Sequence, residues 1–94
     1  MKNKSESEKE SSFKNFRLLA EAKKGNIEEV QRLVREGADV NWSHSAALQA
    51  AIIHNHEEIA IFLVLNGAKN PLRPEVGSKK LYEFVKFYNK LKDL

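Results

Sequence analysis

Cysteine is absent from the 94 residues, which excludes a disulfide-stapled scaffold, a cysteine-ligated zinc finger and a cysteine nucleophile. That absence fits a reducing compartment. Long apolar runs are also missing. The longest is Ile59 to Leu65, seven residues, against the roughly twenty that a membrane-spanning helix needs. The first twelve residues have no apolar stretch of the kind a secretion signal carries. Proline occurs only at Pro71 and Pro74 and tryptophan only at Trp42, so one point in the chain is strongly broken and one residue is a distinctive aromatic. No sign of charge dominates, with sixteen Lys and Arg against thirteen Asp and Glu.

The chain is 41% hydrophobic and 31% charged, enough apolar material for one small core and too little length for two. The net charge of +3 and sequence pI of about 9.2 raise the question of nucleic acid, and the location of the surplus decides its weight. Residues 1–12 and residues 13–70 are each balanced. The excess lies in residues 71–94, where Arg73, Lys79, Lys80, Lys86, Lys90 and Lys92 face Glu75, Glu83 and Asp93. It is a local patch.

Met1 to Ser12 alternates Ser, Lys and Glu and reads as a charged flexible tail, leaving residues 13–94 as the folded domain. Phe13, Phe16, Leu19 and Ala20 recur at helical spacing, and Gly25-Asn26 stops that helix. Ile27, Val30, Leu33 and Val34 mark a second helix, with Glu28 and Glu29 in its first turn and Arg35 in its last, the polarity that the helix dipole favours. Gly37 ends it. Ala46 to His54 is small and apolar, suited to close helix packing. Glu57 to Leu65 is apolar enough for a buried strand, but the repeat described next decides for a helix. Pro71 and Pro74 mark a connection, and a last helix from about Ser78 to Lys92 carries Leu81, Phe84, Val85, Tyr88 and Leu91 on one stripe.

The stretch from Gly25 to Asn41 falls on the stretch from Asn55 to Asn70 with a shift of thirty residues, setting Gly37 on Gly67, Leu33-Val34 on Leu63-Val64 and Leu18 on Leu48. A helix–turn–helix repeat near this length belongs to solenoids, because one unit cannot bury its apolar face alone. Gly37-Ala38-Asp39-Val40-Asn41, its shorter echo Gly67-Ala68-Lys69-Asn70, and Gly25-Asn26-Ile27-Glu28-Glu29-Val30 resemble the ankyrin-repeat family. The resemblance implies an all-α short solenoid: a capping repeat, one full repeat and a partial third unit with a C-terminal capping helix. Arg32, where the next repeat has Phe62, suits a polar-faced cap.

Three departures from that family matter. The repeat is about thirty residues instead of about 33, and the loss between Asn41 and Leu48 predicts a short turn finger. The family's Thr-Pro-Leu-His reads Ala46-Ala47-Leu48-Gln49, so the hydrogen bonds that staple neighbouring repeats are missing or replaced. The array also has fewer than the about three stacked units a solenoid needs, which makes the last helix essential as a closure.

The resemblance implies a binding module without catalysis or cofactor, engaging a protein partner through the finger and the concave face. Carried over by register, the fingertip is Trp42, Ser43, His44 and Ser45. The concave columns are Lys23, Ile53 and Lys86, and Lys24, His54 and Phe87. Trp42 is either an interface anchor or a cover over a thin core. His44, His54 and His56 have no carboxylate or cysteine at ligand spacing, so no metal is expected. Ser43, His44 and Asp39 lack the orienter and oxyanion hole of a triad, so no enzyme is expected.

Lys23, Lys24, Lys86 and Lys90 would converge on the concave side if the third unit stacks in register, favouring an acidic partner. A nucleic-acid reading trails, because no motif reads bases. Ile61 and Leu65 stand where the first repeat has Gln31 and Arg35. Either the C-terminal segment covers them, or they form a self-association face and the protein is a weak homodimer instead of a monomer. The expected setting is cytoplasmic, with delivery into a host cell as the other reading, and the expected role is that of an adaptor.

Overall fold

A computed structural model describes residues 4–69 and 77–92. Its order is α1 (Lys4–Lys24), α2 (Ile27–Arg35), α3 (Trp42–Ile53), α4 (Glu57–Leu65) and α5 (Lys79–Lys92). The connection read at Pro71 and Pro74, and Arg73, Glu75 and Asp93, lie outside the described residues. The helix α1 begins at Lys4, so helical backbone runs through most of the segment whose composition reads as a tail. Glu and Lys are good helix formers, and the helix that packs from Leu18 onward extends back through them at little cost per residue.

The thirty-residue repeat is visible in burial. Leu18 and Leu48 are buried, as are Ala22 and Ile52, Val30 and Ala60, Leu33 and Leu63, and Ala38 and Ala68. Both α2 and α4 end in the same way. The N–H groups of Ala38 and Ala68 reach back to the carbonyls of Leu33 and Leu63, each at 2.9 Å, which satisfies carbonyls that a helix end leaves open. The alanines of α3, with Ala47 and Ala51 buried, let α1 and α3 approach closely.

Two apolar stripes are rotated from the positions their spacing suggests. On α1 the buried face is Leu18 and Ala22, while Phe13 and Phe16 are 66% and 61% exposed. On α5 Leu81 and Val85 are buried, while Phe84 and Leu91 face outward. In both helices an i, i+4 pair faces the core and the larger aromatic rings are left at its edge.

The direction of α5 is the main difference from the expected register. The Ser78 N–H donates to the Ile52 carbonyl at 3.0 Å, and an added Cβ on Gly77 would meet the Ile52 and Ile53 backbone. At the other end Asn89 Nδ2 donates to the Ala68 carbonyl, just past α4, at 3.3 Å. The helix α5 therefore starts beside the C-terminus of α3 and ends beside the C-terminus of α4. It runs antiparallel to α3 and parallel to α4, closing the open side of the α3–α4 hairpin. The ankyrin register expected for the third unit put Lys86 beside Ile53 and Phe87 beside His54, and the antiparallel path separates both pairs. The reason is physical: an amphipathic stripe such as Leu81–Val85 buries equally well in either direction.

Candidate functional site

The molecule has two ends. The finger end carries Asp39 to Ser45 and Gly67 to Lys69; the turn end carries Lys23 to Asn26 and Ile53 to His56. At the finger end Asn41 is the central residue. Its Oδ1 accepts from the Lys69 N–H (2.7 Å) and the Ser45 hydroxyl (2.9 Å), its Nδ2 donates to the Gly67 carbonyl (3.0 Å), and its own N–H donates to Asp39 Oδ1 (2.8 Å). Asn15 Oδ1 on α1 accepts from the Asp39 N–H at 2.7 Å. These bonds tie the first finger to α1 and to the start of the next finger. They join successive units where the family's Thr and His are replaced by Ala46 and Gln49.

Past Asn41 the finger closes abruptly. Ser43, His44 and Ser45 are all left-handed, at φ 55°, 57° and 59°, before α3 proceeds normally. Each such residue costs about 1–2 kcal/mol outside glycine, and the Ser45 hydroxyl bond to Asn41 holds the last of them. Ser43→Gly is expected to stabilise the fold by about 0.5–1 kcal/mol, the left-handed cost removed less the chain entropy a glycine adds to the unfolded state. Urea denaturation measures it, and an unchanged or lower midpoint would show that this turn carries no strain.

Trp42, at the base of this turn, is half-buried. Its ring meets Phe16 edge-on, with centroids 6.5 Å apart and planes at 76°. Ser43 and His44 are exposed beyond it, while Ser45 is buried. Phe16 lies on the side of α1 away from α2, since Lys14 and Arg17 mark the α2 side through contacts to the Glu36 carbonyl (3.0 Å) and to Glu29 (3.3 Å). Phe16 was missed as a site residue because its spacing with Leu19 and Ala20 reads as core. Its near-absence from the core shows only when Leu18 and Ala22 are seen to fill it.

At the turn end Lys23, Lys24 and His54 are exposed and Ile53 is half-buried. His56 Nε2 donates to the Lys23 carbonyl at 3.0 Å. Its ring leaves so little room over Gly25 that an added Cβ there would stand 2.7 Å from ring Cε1. This imidazole is thus a link between repeats. The His54 and His56 rings stack with centroids 6.1 Å apart, and His44 is at the opposite end. Among the described residues no three His, Cys, Asp or Glu side chains come together as a metal site, and no helix is long and apolar enough to cross a membrane.

The lysines do not form one concave cluster. Lys23 and Lys24 are at the turn end, where the first residues of α5, Lys79 and Lys80, also begin; Lys86 and Lys90 lie further along α5 toward the finger end. Charge on the first repeat is instead paired. Arg32 grips Glu29 through Nε (3.0 Å) and Nη2 (2.7 Å), reaches Glu36 through Nη1 (2.7 Å), and Arg17 adds a longer contact to Glu29 (3.3 Å). The hydrogen bonds from Arg32, with the positive charge of Arg32 and Arg17, hold the Glu29 carboxyl below its ordinary value against a partial opposing desolvation. A polar outer face on α2 is what a capping repeat presents to water.

Ile61 is half-buried and shares a cavity of about 410 Å³ with Glu57, Leu81 and Phe84, whereas Leu65 is 60% exposed. The last helix thus shelters the first of the two apolar positions and leaves the second open.

A family model described as ankyrin repeats (3 copies) matches residues 2–73. Over 88 residues the chain is 34% identical to a mitochondrial disaggregase of Bos taurus, covering 90% of this chain and 12% of that protein. Over 73 residues it is 38% identical to a mitochondrial disaggregase of Homo sapiens, covering 74% of this chain and 10% of that one. The chain thus spans about an eighth of the length of these relatives at most. No solved structure matches. The match over more than half the chain, the repeated burial thirty residues apart and the paired helix ends lead to one assignment: the chain belongs to the ankyrin-repeat family, whose repeats typically serve as non-catalytic modules for protein–protein interaction.

Proposed function

We infer that the protein binds a partner protein through its finger and the inner-helix face of α1 and α3, with Phe16 and Trp42 as the anchor. The observation that carries this is the edge-on pair itself. Phe16 is 61% exposed although it adjoins the finger, and aromatic side chains presented on a preformed surface supply most of the energy of an interface. Ser43 and His44 offer polar contacts beside it. Lys23, Lys24, Ile53 and His54 extend the same face toward the turn end, where the two lysines would favour acidic groups on the partner. Lys86 and Phe87 belong to a different surface. The mechanism is complementarity to a rigid scaffold, with no bond made or broken, as befits an adaptor.

Affinity capture with the wild type beside a Phe16→Ser/Trp42→Ala variant tests this reading. Trp42 truncation at an anchor costs on the order of 2 kcal/mol of binding, so proteins held through this face should drop out of the variant's list while its helical circular dichroism is retained. An identical list from a folded variant would reject the surface.

A further inference from the structure

The helix α5 carries most of the basic residues of the C-terminal quarter and, among the described residues, the largest group of outward-facing apolar side chains. On α5, Phe84, Phe87 and Leu91 follow at spacings of three and four and are 46%, 63% and 50% exposed. On α4 the matching edge is Ile61 and Leu65, one turn apart. Because α4 and α5 run parallel, these edges stay side by side from the cavity at Ile61 and Phe84 toward the finger end. The two apolar edges thus flank a trough on the outer surface that starts at a cavity also lined by Glu57, Ser78 and Lys80 and continues toward exposed Leu65, Phe87 and Leu91, where a further helix of a solenoid would lie.

We propose that this trough is a second docking surface and that it takes an amphipathic helix with acidic flanks from a partner protein. The charge of the α5 wall selects this occupant, outweighing Glu57 at the α4 side of the cavity. The helix α5 carries Lys79, Lys80, Lys86, Lys90 and Lys92 against Glu83 alone, and Lys80 and Lys90 are exposed beside the apolar stripe. A second copy laying its own α5 here would set five lysines against five, at a cost that works against pairing. An acidic flank meets them favourably. Leu, Ile or Phe at i, i+3 or i+4 and i+7 of the incoming helix would fill the space between Ile61, Leu65 and Phe84, the helix-in-groove mode of recognition. The cavity between the two helices at Ile61 and Phe84 also sets this surface apart from a face that lies flat on a bilayer, where a single convex stripe suffices. This surface is separate from the Phe16–Trp42 anchor, so either can fail without the other.

The test uses the full 94-residue chain and a lactam-constrained helical peptide of Leu and Glu with one Leu stripe, titrated under NMR observation. Saturable shifts centred on Leu65, Phe84 and Phe87 are expected. The same peptide with Lys for Glu should bind at least about tenfold more weakly. Leu65→Glu, a change at an exposed position that leaves the fold intact, should weaken the acidic peptide by a similar factor through its new negative charge, and Trp42→Ala should leave it unchanged. The proposal is overturned by no saturable binding, equal affinity for the two peptides, shifts that map elsewhere, or a protein that sediments as a dimer through this face. Binding to phosphatidylserine vesicles with no binding to the peptide would assign the stripe to a membrane surface and also overturn it.

Discussion

Gly77→Ala is expected to lower the free energy of unfolding by about 2–5 kcal/mol, summing about 1–2 for a left-handed alanine and about 1–3 for overpacking. Gly77 has φ +93°, and a Cβ there would lie 2.6 Å from the Ile52 carbonyl oxygen and 2.9 Å from the Ile53 nitrogen, with the Ile53 Cα closer still. These are backbone atoms at the end of a helix and cannot swing aside as a flexible side chain would. Relief requires the start of α5 to lift away, and with it goes the Ser78 N–H bond to the Ile52 carbonyl. Leu81 and Val85 then lose their seat against the α3–α4 hairpin. A domain of this length has only about 5–14 kcal/mol in total, so the effect would be conspicuous in urea denaturation. Amide exchange should quicken first at Ser78 and Tyr82, before the α1–α3 pair opens. Ser78→Ala is the control. It removes only the hydroxyl that caps the Leu81 N–H at 3.1 Å and should cost about 1 kcal/mol. Equal effects from the two variants would show that capping, and not the close approach at Gly77, fixes α5.

That contact also shows where the sequence stops being readable. The thirty-residue spacing identifies Leu18 with Leu48 and Leu33 with Leu63, and burial follows that identity. Turn signals are legible because a helix end needs specific backbone chemistry, and Gly37-Ala38 and Gly67-Ala68 supply it. The direction of α5 was not legible. Leu81 follows Leu48 by thirty-three residues, close to a repeat period, but a period says which face is apolar and nothing about which way the helix points. Gly77 settles the direction through a contact with residues twenty-five positions earlier in the chain, and no local pattern reports it. The candidate site divides in the same way. Trp42 stands out by composition, whereas its partner Phe16 is hidden in a plausible core stripe, since helical periodicity cannot tell a buried turn from one shifted by a third of a revolution. The Lys23–Lys86 convergence depended on the register and does not survive the reversal of α5. Lys80 and Lys90 gain their interest from the same reversal.

Asn41→Ala is the other substitution with a large expected effect, about 2–4 kcal/mol and a melting temperature lower by about 8–32 °C for a domain of this size. A hydrogen bond contributes about 1 kcal/mol net, and a buried polar group stripped of its partner costs about 1–3. Alanine removes the acceptor of the Lys69 N–H and of the Ser45 hydroxyl together with the donor to the Gly67 carbonyl. Lys69 is exposed and its N–H can turn to water, so that bond is cheaply replaced. Ser45 is 2% exposed and its hydroxyl has nowhere to turn. The larger share of the loss should therefore come from Ser45, and a double-mutant cycle isolates it. Ser45→Ala removes the stranded hydroxyl, so the Asn41→Ala/Ser45→Ala pair should be distinctly less destabilised than the sum of the single variants. Asn41→Asp keeps an oxygen for Ser45 and Lys69 but turns a second oxygen toward the Gly67 carbonyl, which separates the acceptor role from the donor role. Strict additivity in the cycle, with a loss below about 1 kcal/mol for Asn41→Ala, would mean that apolar packing alone holds the two fingers in line. Less-than-additive behaviour would make Asn41 the replacement for the missing inter-repeat staple, at a residue two positions from the left-handed turn on which the finger's geometry rests.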